Sequence, residues 1–565
     1  MIKINENNVS PCSLFKVTMD LQIYFVLISA ISAVTGACPS ECQCQGSTVL
    51  CHGRTIAQFP STVPSDTNTM YLSNTNISLL KPADFEDFAE SLKTFAVKNT
   101  DIHEILNNTF DQTINLMNLA FQGTQLVSLP EDLFHSLHLM QTLTLNDNNI
   151  QLLPPSLLTP LKGLQNLDLS KNQLTSVPDN AFSGLRLLST LRLNKNHLKE
   201  LPAGTFDDLE NLKALALQDN HVTQLPANLF SNLQKLQTLS LSSNKISELP
   251  EGIFTSLPNL TKITLHDNEL QKLSRGTFGP MLIEDLWLYD NRLSTLEDDV
   301  FSNLTNVKLL VLSRNQIESI SVGAFSGLTE LREVSLHTNR ITNIKKGTFS
   351  GLPKLANISL EHNNIESISG DVLHGVSKLH QLDLRNNSLQ NLDPDFLESL
   401  QVVDEVLLTL NPWKCDEDII PLRDWLQRFP QKVPSLDVVV CLSPPPLLDY
   451  VIRDLSDERL IQPTTQGPTE TDSVTPTEKR RRPHTHPPRK STPLPATNST
   501  TKPDQEGDTN SGQGGSSSQL QDTDWIIIAV VCTTVLVGAI LGVACWKKNK
   551  KDSRDLHQRP KNSVI

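Results

Sequence analysis

Leu164-Gln165-Asn166-Leu167-Asp168-Leu169-Ser170-Lys171-Asn172-Gln173-Leu174 decides the fold. Its leucines stand three and two apart, and the stretch ends on an asparagine followed by one more leucine. The asparagine returns every 24 residues at Asn148, Asn172, Asn196, Asn220, Asn244 and Asn268. A 23-residue step leads to Asn291, and Asn315, Asn339, Asn363, Asn387 and Asn411 follow. Thr75, Thr100 and Thr124 hold the position in three earlier copies of the apolar frame, which makes fifteen copies in all. Side chains two apart on a strand share a face. In Asp285-Leu286-Trp287-Leu288-Tyr289 the leucines therefore point one way and the rest point the other.

One short strand cannot bury an apolar face alone, but stacked copies share a continuous core. The frame and period are those of the leucine-rich repeat. The expected fold is α/β: a right-handed leucine-rich-repeat solenoid, or horseshoe, with a concave parallel sheet, disulfide-capped ends and one transmembrane helix. At about 4.8 Å per strand, fifteen strands give an arc of roughly 70 Å. Phe134, Phe182, Phe206, Phe230, Phe254, Phe278, Phe301, Phe325 and Phe349 lie ten residues past the recurring position and close the convex side. Leu158, Leu373 and Leu397 take that place in three copies. The asparagine side chain both donates and accepts, so it ties neighbouring coils in a ladder; threonine replaces only part of that bonding. A helical array is excluded, because its apolar spacing would be three and four. Proline also recurs soon after the asparagine, at Pro154, Pro178, Pro202, Pro226 and Pro250.

Cysteines mark both ends of the repeats. Cys38-Pro-Ser-Glu-Cys42-Gln-Cys44 and Cys51 precede the first coil, and Cys415 and Cys441 follow the last. Zinc is one reading of the first four, since they are dense in thiols. Disulfides are the stronger reading in an oxidising compartment, and three pairings of four cysteines are open. Cys441 is the obvious mate of Cys415.

The compartment follows from two apolar runs. Residues 21–34, ending in Thr35-Gly36-Ala37, read as a secretory signal, with Met19 an alternative start. Residues 525–546 carry no charge, begin and end on tryptophan, and are followed by Lys547, Lys548, Lys550 and Lys551. That length spans a bilayer, and the lysines mark its cytoplasmic side. The expected layout is a type I single-pass plasma-membrane protein with its N-terminus outside. Its parts are a signal region 1–37, an N-terminal cap 38–64, repeats 65–411, a C-terminal cap 412–461, a Ser/Thr/Pro stalk 462–524, a membrane helix 525–546 and a tail 547–565. The stalk cannot build a core. Its Lys479-Arg480-Arg481-Arg482 cluster reads as solvated. The 19-residue tail is too short for a kinase domain.

Of the formal charge of −14, the tail supplies +5 and the stalk −1, which leaves −18 on the capped solenoid. That balance argues against nucleic acid and for partners with basic patches. No phosphate loop, nucleophile elbow or His-Glu-x-x-His occurs. An enzyme, a metal site and a cofactor are accordingly not expected. Function falls to the outward strand positions, most of them small or polar. The exception is Trp287 and Tyr289, with His266, Asp290, Arg314 and His337 around them. The chain has only five Trp and four Tyr, so a Trp–Tyr pair on one strand marks a binding patch; the competing reading is a Trp287 lying flat against its neighbours.

Asn-x-Ser/Thr sequons stand at Asn76, Asn107, Asn259, Asn303, Asn357, Asn386 and Asn498. Sugar on Asn357 and Asn386 would crowd the C-terminal part of the strand face and leave the middle to a partner. Gly538-x-x-x-Gly542 has the spacing of a helix-dimer face, a route to a homodimer, although glycine is common in such helices anyway. Cys545 is the better palmitoylation candidate of the two membrane cysteines. Ser563-Val564-Ile565 suits a PDZ scaffold.

The chain resembles the extracellular leucine-rich-repeat family of vertebrates. Carrying the resemblance are Cys38-Pro-Ser-Glu-Cys42-Gln-Cys44, Leu288-Tyr-Asp-Asn291, Val300-Phe-Ser-Asn-Leu304, Val311-Leu-Ser-Arg-Asn-Gln-Ile317, Gly327-Leu-Thr-Glu-Leu-Arg-Glu333 and Leu336-His-Thr-Asn339. The cap stretch Asn411-Pro-Trp-Lys-Cys-Asp-Glu-Asp-Ile-Ile-Pro-Leu-Arg-Asp-Trp425 belongs with them. The resemblance spans roughly 38–445 and implies Cys38–Cys44 and Cys42–Cys51 bonds. Most of the family has Cys-x-Cys where this chain has Cys415-Asp-Glu417, so one disulfide is lost. It further implies cell–matrix or cell–cell adhesion, with collagen, laminin or fibronectin as partners. An innate immune recognition receptor and a synaptic or axonal organiser are the alternatives.

Overall fold

The computed structural model describes residues 38–460. The signal region, stalk, apolar run 525–546, Asn498, Gly538, Gly542, Cys545 and the Ser563-Val564-Ile565 terminus lie outside them. Among the described residues, fifteen parallel strands follow one another from Thr69–Ser73 to Val403–Leu407, each paired with the strand of the next coil. The register is constant: Leu143, Leu167, Leu191, Leu215, Leu239 and Ile263 stand opposite one another. Leu164, Leu167, Leu169 and Leu174 are all fully buried. A buried leucine contributes about 1.5–3 kcal/mol, and each coil supplies several.

The ladder fills the gap between strands and turns. Asn196 Nδ2 donates to Leu169 O of the preceding coil and to Leu193 O of its own, both at 3.0 Å. Its Oδ1 accepts from Leu174 N of the preceding coil at 3.0 Å. Asn172 repeats this one coil earlier, with Leu145 O, Leu169 O and Ile150 N. The series runs to Asn411, which bonds Leu384 O, Leu408 O and Leu389 N. Each side chain thus satisfies buried backbone groups that turning out of the strand would strand without partners.

Threonine does less than the sequence suggests. Thr124 is tied to Asn148, whose Oδ1 accepts its backbone N–H at 2.9 Å. The hydroxyls of Thr75 and Thr100 are buried without a hydrogen-bond partner. Those coils hold together in two other ways. Their strands are five residues long, against three in the next coils. Aromatic rings also replace leucines in the core: Phe85 packs on Phe95 at 5.1 Å and on Phe110 at 5.4 Å, and Phe95 meets Phe121 at 6.0 Å. Such pairs contribute beyond the area they bury.

The turn side holds only short 3-10 segments, such as Pro82–Asp84 and Gly370–Leu373, and one short α-helix, so the repeats form a β-solenoid and the α part of the expected class does not hold for them. Each recurring proline opens an i→i+3 turn: Pro154 O accepts from Leu157 N, Pro178 O from Ala181 N, and Pro202 O from Thr205 N. Another turn of the same kind starts at the phenylalanine, as Phe182 O accepts from Leu185 N. A run of such turns leaves no room for the i→i−4 ladder of a helix. The rings stack coil on coil, from Phe182–Phe206 at 6.2 Å through Phe230–Phe254 at 6.1 Å to Phe254–Phe278 at 5.9 Å. The turn before the last strand departs, with a six-residue α-helix Pro394–Ser399 capped by Asp393.

Both ends are closed. Cys42–Gln45 runs antiparallel to Thr48–His52, which pairs in parallel with Thr69–Ser73. Disulfides join Cys38 to Cys44 and Cys42 to Cys51, so none of these four sulfurs remains a thiolate for zinc. At the other end Cys415 is bonded to Cys441, and Trp413 is buried with its Nε1 donating to Leu408 O at 3.3 Å. The Lys432 ammonium donates to Leu400 O, Gln401 O and Val403 O, carbonyls that a further coil would otherwise cover.

Asn220→Ala removes donors to Leu193 O and Leu217 O and the acceptor for Leu198 N. Stranding these groups should cost about 2–4 kcal/mol, read by denaturant unfolding together with faster amide exchange at Leu198. Thr100→Val, which removes a hydroxyl with no partner, should be near neutral in the same assay.

Candidate protein-binding surface

Outward positions on the strands carry neither core nor ladder. In each coil they are followed by a residue of left-handed φ just before the ladder asparagine, including Asp267, Asp290, Arg314, Thr338 and His362.

Five of the six residues singled out from the sequence form one cluster centred on Tyr289. The His266 imidazole, from the preceding coil, stacks on the phenol ring at 4.4 Å and 5°. The Arg314 guanidinium, from the following coil, sits over the same ring at 5.4 Å. Asp290 pairs with Arg314 and holds it there. Trp287 lies beside His266 at 6.3 Å, tilted by 50°. It is half-buried: part of the indole packs against neighbours and part faces solvent. His337 is further along the face, where its Nδ1 lies 3.0 Å from Thr338 Oγ1. It belongs to a second cluster with Glu361, Asp383 and Arg385.

Burial lowers the proton affinity of His266, against the opposing pull of Asp267, Asp290 and Asp219. Burial also lowers that of His337, helped by Arg314 and His362. Both imidazoles are thus held neutral near pH 7. A neutral His266 stacks on Tyr289 without competing with Arg314 for the ring.

Apart from His337, the second cluster was not singled out from the sequence, although strand alternation places its members outward. Arg385 Nε donates to both oxygens of Asp383, at 2.9 and 3.0 Å, and closes over the carboxylate. Asp383 is fully buried as a result. Burial, and then Asp383, hold the Glu361 carboxyl above its ordinary range. Of the sequons, Asn357 is half-buried on the strand face and hydrogen-bonds Glu333, and Asn386 is exposed in contact with His362. The Asn259 and Asn303 side chains donate to Gln234 O and Phe278 O of preceding coils, both at 2.9 Å.

The family model described as Leucine rich repeat matches residues 114–174, 138–198, 162–222, 186–246, 234–288, 282–339 and 329–389. The repeat segment belongs to the leucine-rich-repeat family. It is similar to Reticulon-4 receptor-like 1 of Rattus norvegicus, 28% identical over 158 residues, which cover 23% of this chain and 35% of that protein. It is also similar to the platelet glycoprotein Ib beta chain of Homo sapiens, 34% identical over 71 residues, covering 13% and 34%. The chain thus spans only a third of the length of either relative. Among solved structures, a leucine-rich-repeat protein of Leptospira interrogans superposes with a TM-score of 0.51 at 26% identity, over 66% of this chain and 91% of that one. A TLR13–ssRNA13 complex gives 0.54 at 22% identity over 67% and 55%, a likeness of fold alone. Leucine-rich-repeat folds are in general interaction scaffolds rather than catalysts.

Because folding disfavours the His266 imidazolium, the unfolded chain binds that proton more tightly. The contribution to stability is complete above the unfolded value of ~6.5 and is lost as pH falls from there toward the depressed folded value. NMR titration of the His266 ring should give a midpoint below the ordinary one. Tyr289→Ala, which uncovers the imidazole, should raise that midpoint back toward it.

Proposed function

We propose that this chain is a single-pass type I cell-surface receptor that mediates cell–matrix or cell–cell adhesion by binding protein on its strand face. The observation that carries the reading is the Tyr289 ring, held between His266 and Arg314 with half-exposed Trp287 beside it. An aromatic platform already fixed in place by its neighbours loses little side-chain freedom on binding, which favours affinity. Tyrosine, tryptophan and arginine are also the residues that dominate binding energy at protein interfaces. Two relatives bear names of the same kind, a receptor-like protein and a platelet glycoprotein.

Membrane anchoring rests on residues 525–546 and the lysines after them, and scaffolding on Ser563-Val564-Ile565. The Gly538/Gly542 face is a route to dimers. Glycans on Asn357 and Asn386 would screen the C-terminal coils and direct a protein partner to the coils around Trp287. Matrix proteins of the collagen, laminin and fibronectin type are the partners to try first.

Trp287→Ala combined with Tyr289→Ala should reduce binding of the chain to immobilised matrix proteins at least tenfold while leaving its unfolding temperature within a few degrees. Unchanged binding across a panel to which the unaltered chain adheres would place the interface elsewhere.

A further inference from the structure

The aromatic platform carries its own response to acid; the inference rests on the strand face around Trp287 being the binding surface. Tyr289 is held from both sides. The His266 imidazole, from the preceding coil, lies on its ring at 4.4 Å and 5°. The Arg314 guanidinium, from the following coil, lies over it at 5.4 Å. The Trp287 indole is 6.3 Å from His266. His266 is the member of this stack whose side chain gains a charge between neutral pH and mild acid.

A proton on His266 meets no carboxylate directly. Two other imidazoles do have one, His135 at 3.4 Å from Asp111 and His380 at 3.5 Å from Asp404. Among the described residues no carboxylate forms an ion pair with His266. Charges do face the ring. Asp267 comes from its own coil, Asp290 from the following one and Asp219 from two coils before. Each of them favours the proton, but burial outweighs all three and lowers the proton affinity of the ring. Across Tyr289 stands Arg314, which is already paired with Asp290. The preceding coil adds Ser242 and Ser243 at these positions, and its Lys245 follows the ladder asparagine. Both nitrogens of an imidazolium donate, and water is the acceptor left to them. The other flank of Arg314 is alike. His337 is kept neutral by burial first and then by Arg314 and His362, against Asp383 and Asp290. Arg314 thus stands between two uncharged imidazoles that acid converts to cations.

We propose that His266 is an acid-operated latch on the binding surface: at neutral pH its ring braces Tyr289 and keeps the Trp287 platform assembled, and a proton on it drives the ring into solvent, uncovers one side of Tyr289 and releases a bound protein partner. The platform binds well because it is assembled beforehand, so disordering it costs affinity. A partner seated on Trp287 covers His266 further and holds it unprotonated. Partner and proton therefore compete for the same ring. Affinity is complete above the midpoint of the imidazole in the free chain. Below that midpoint it falls by at most about tenfold per pH unit for one proton, and more steeply where His337 contributes. A receptor carried into an acidic compartment would shed its partner there.

The test uses the full-length chain in detergent. An imidazolium quenches a nearby indole, so the emission lost in Trp287→Phe reports on His266. That difference signal should pass through one transition between about pH 8 and about pH 5. His266→Phe keeps an aromatic ring on Tyr289 and takes no proton, and it should abolish the transition. His135→Gln, on the turn side, should leave it in place. Adhesion to immobilised fibronectin, laminin and collagen is then compared at about pH 7.4 and about pH 5.5. The unaltered chain should lose about tenfold or more in acid, and His266→Phe less than about twofold. His266→Gln, which has no ring to stack, should adhere at neutral pH as weakly as the unaltered chain does in acid. Absence of the fluorescence transition overturns the proposal, and so does a transition that survives in His266→Phe. Acid release of the same size in His266→Phe overturns it as well. If Trp287→Ala abolishes adhesion at neutral pH while the unaltered chain adheres equally at both pH values, the strand face stands as the binding surface and the latch reading fails.

Discussion

A backbone that leaves a strand every 24 residues must satisfy the amides and carbonyls it exposes to its own core, and one asparagine per coil does this. The Asn196 side chain bonds a carbonyl of its own coil and both a carbonyl and an amide of the preceding one. Those groups have no access to water, so a missing partner costs about 1–3 kcal/mol. The requirement is the same in every coil, which fixes the period and the register together. A shift of one residue would turn the strand leucines out of the core and move the asparagine away from its carbonyls.

Where the ladder is incomplete, other forces take over. The Thr75 and Thr100 hydroxyls bond nothing, and their coils rely on longer strands and a cluster of phenylalanines. The two ends of the stack face a related problem, an uncovered edge. A disulfide-bonded hairpin covers one, and at the other the Lys432 ammonium meets the carbonyls of the last coil. These devices differ chemically, but each satisfies what a neighbouring coil would have satisfied.

Core and ladder together leave the outward strand positions without a structural duty. Chemistry can accumulate there at little cost to the fold. At Tyr289 it takes the form of a three-tier stack supplied by three coils, and at Glu361 that of a shielded carboxylate whose neighbouring arginine is already engaged. Both lie on one face of one sheet. The period alone makes them neighbours, since Trp287 and Ser359 are distant in sequence yet three strands apart.

Strand leucines at spacings of two and three, with asparagine at a fixed beat, were enough to derive the stacked parallel sheet. Those patterns are local and repeat in every coil, so one stretch such as Leu164–Leu174 carries the argument for all. The same alternation marked Trp287, Tyr289 and His266 as outward. It could not say that Tyr289 would be covered from both sides, because ring stacking depends on rotamers chosen jointly by three coils. Nor could it say which outward polar atoms would be shielded without a partner, as Asn146 Oδ1, Gln218 Oε1 and Glu361 Oε2 are. Glu361 Oε2 is shielded within the stack, while Arg385 pairs with Asp383. The turn side shows the opposite limit: prolines and phenylalanines were visible, but whether such a run winds into a helix or closes in i→i+3 turns is settled by the spacing the stacked sheet imposes.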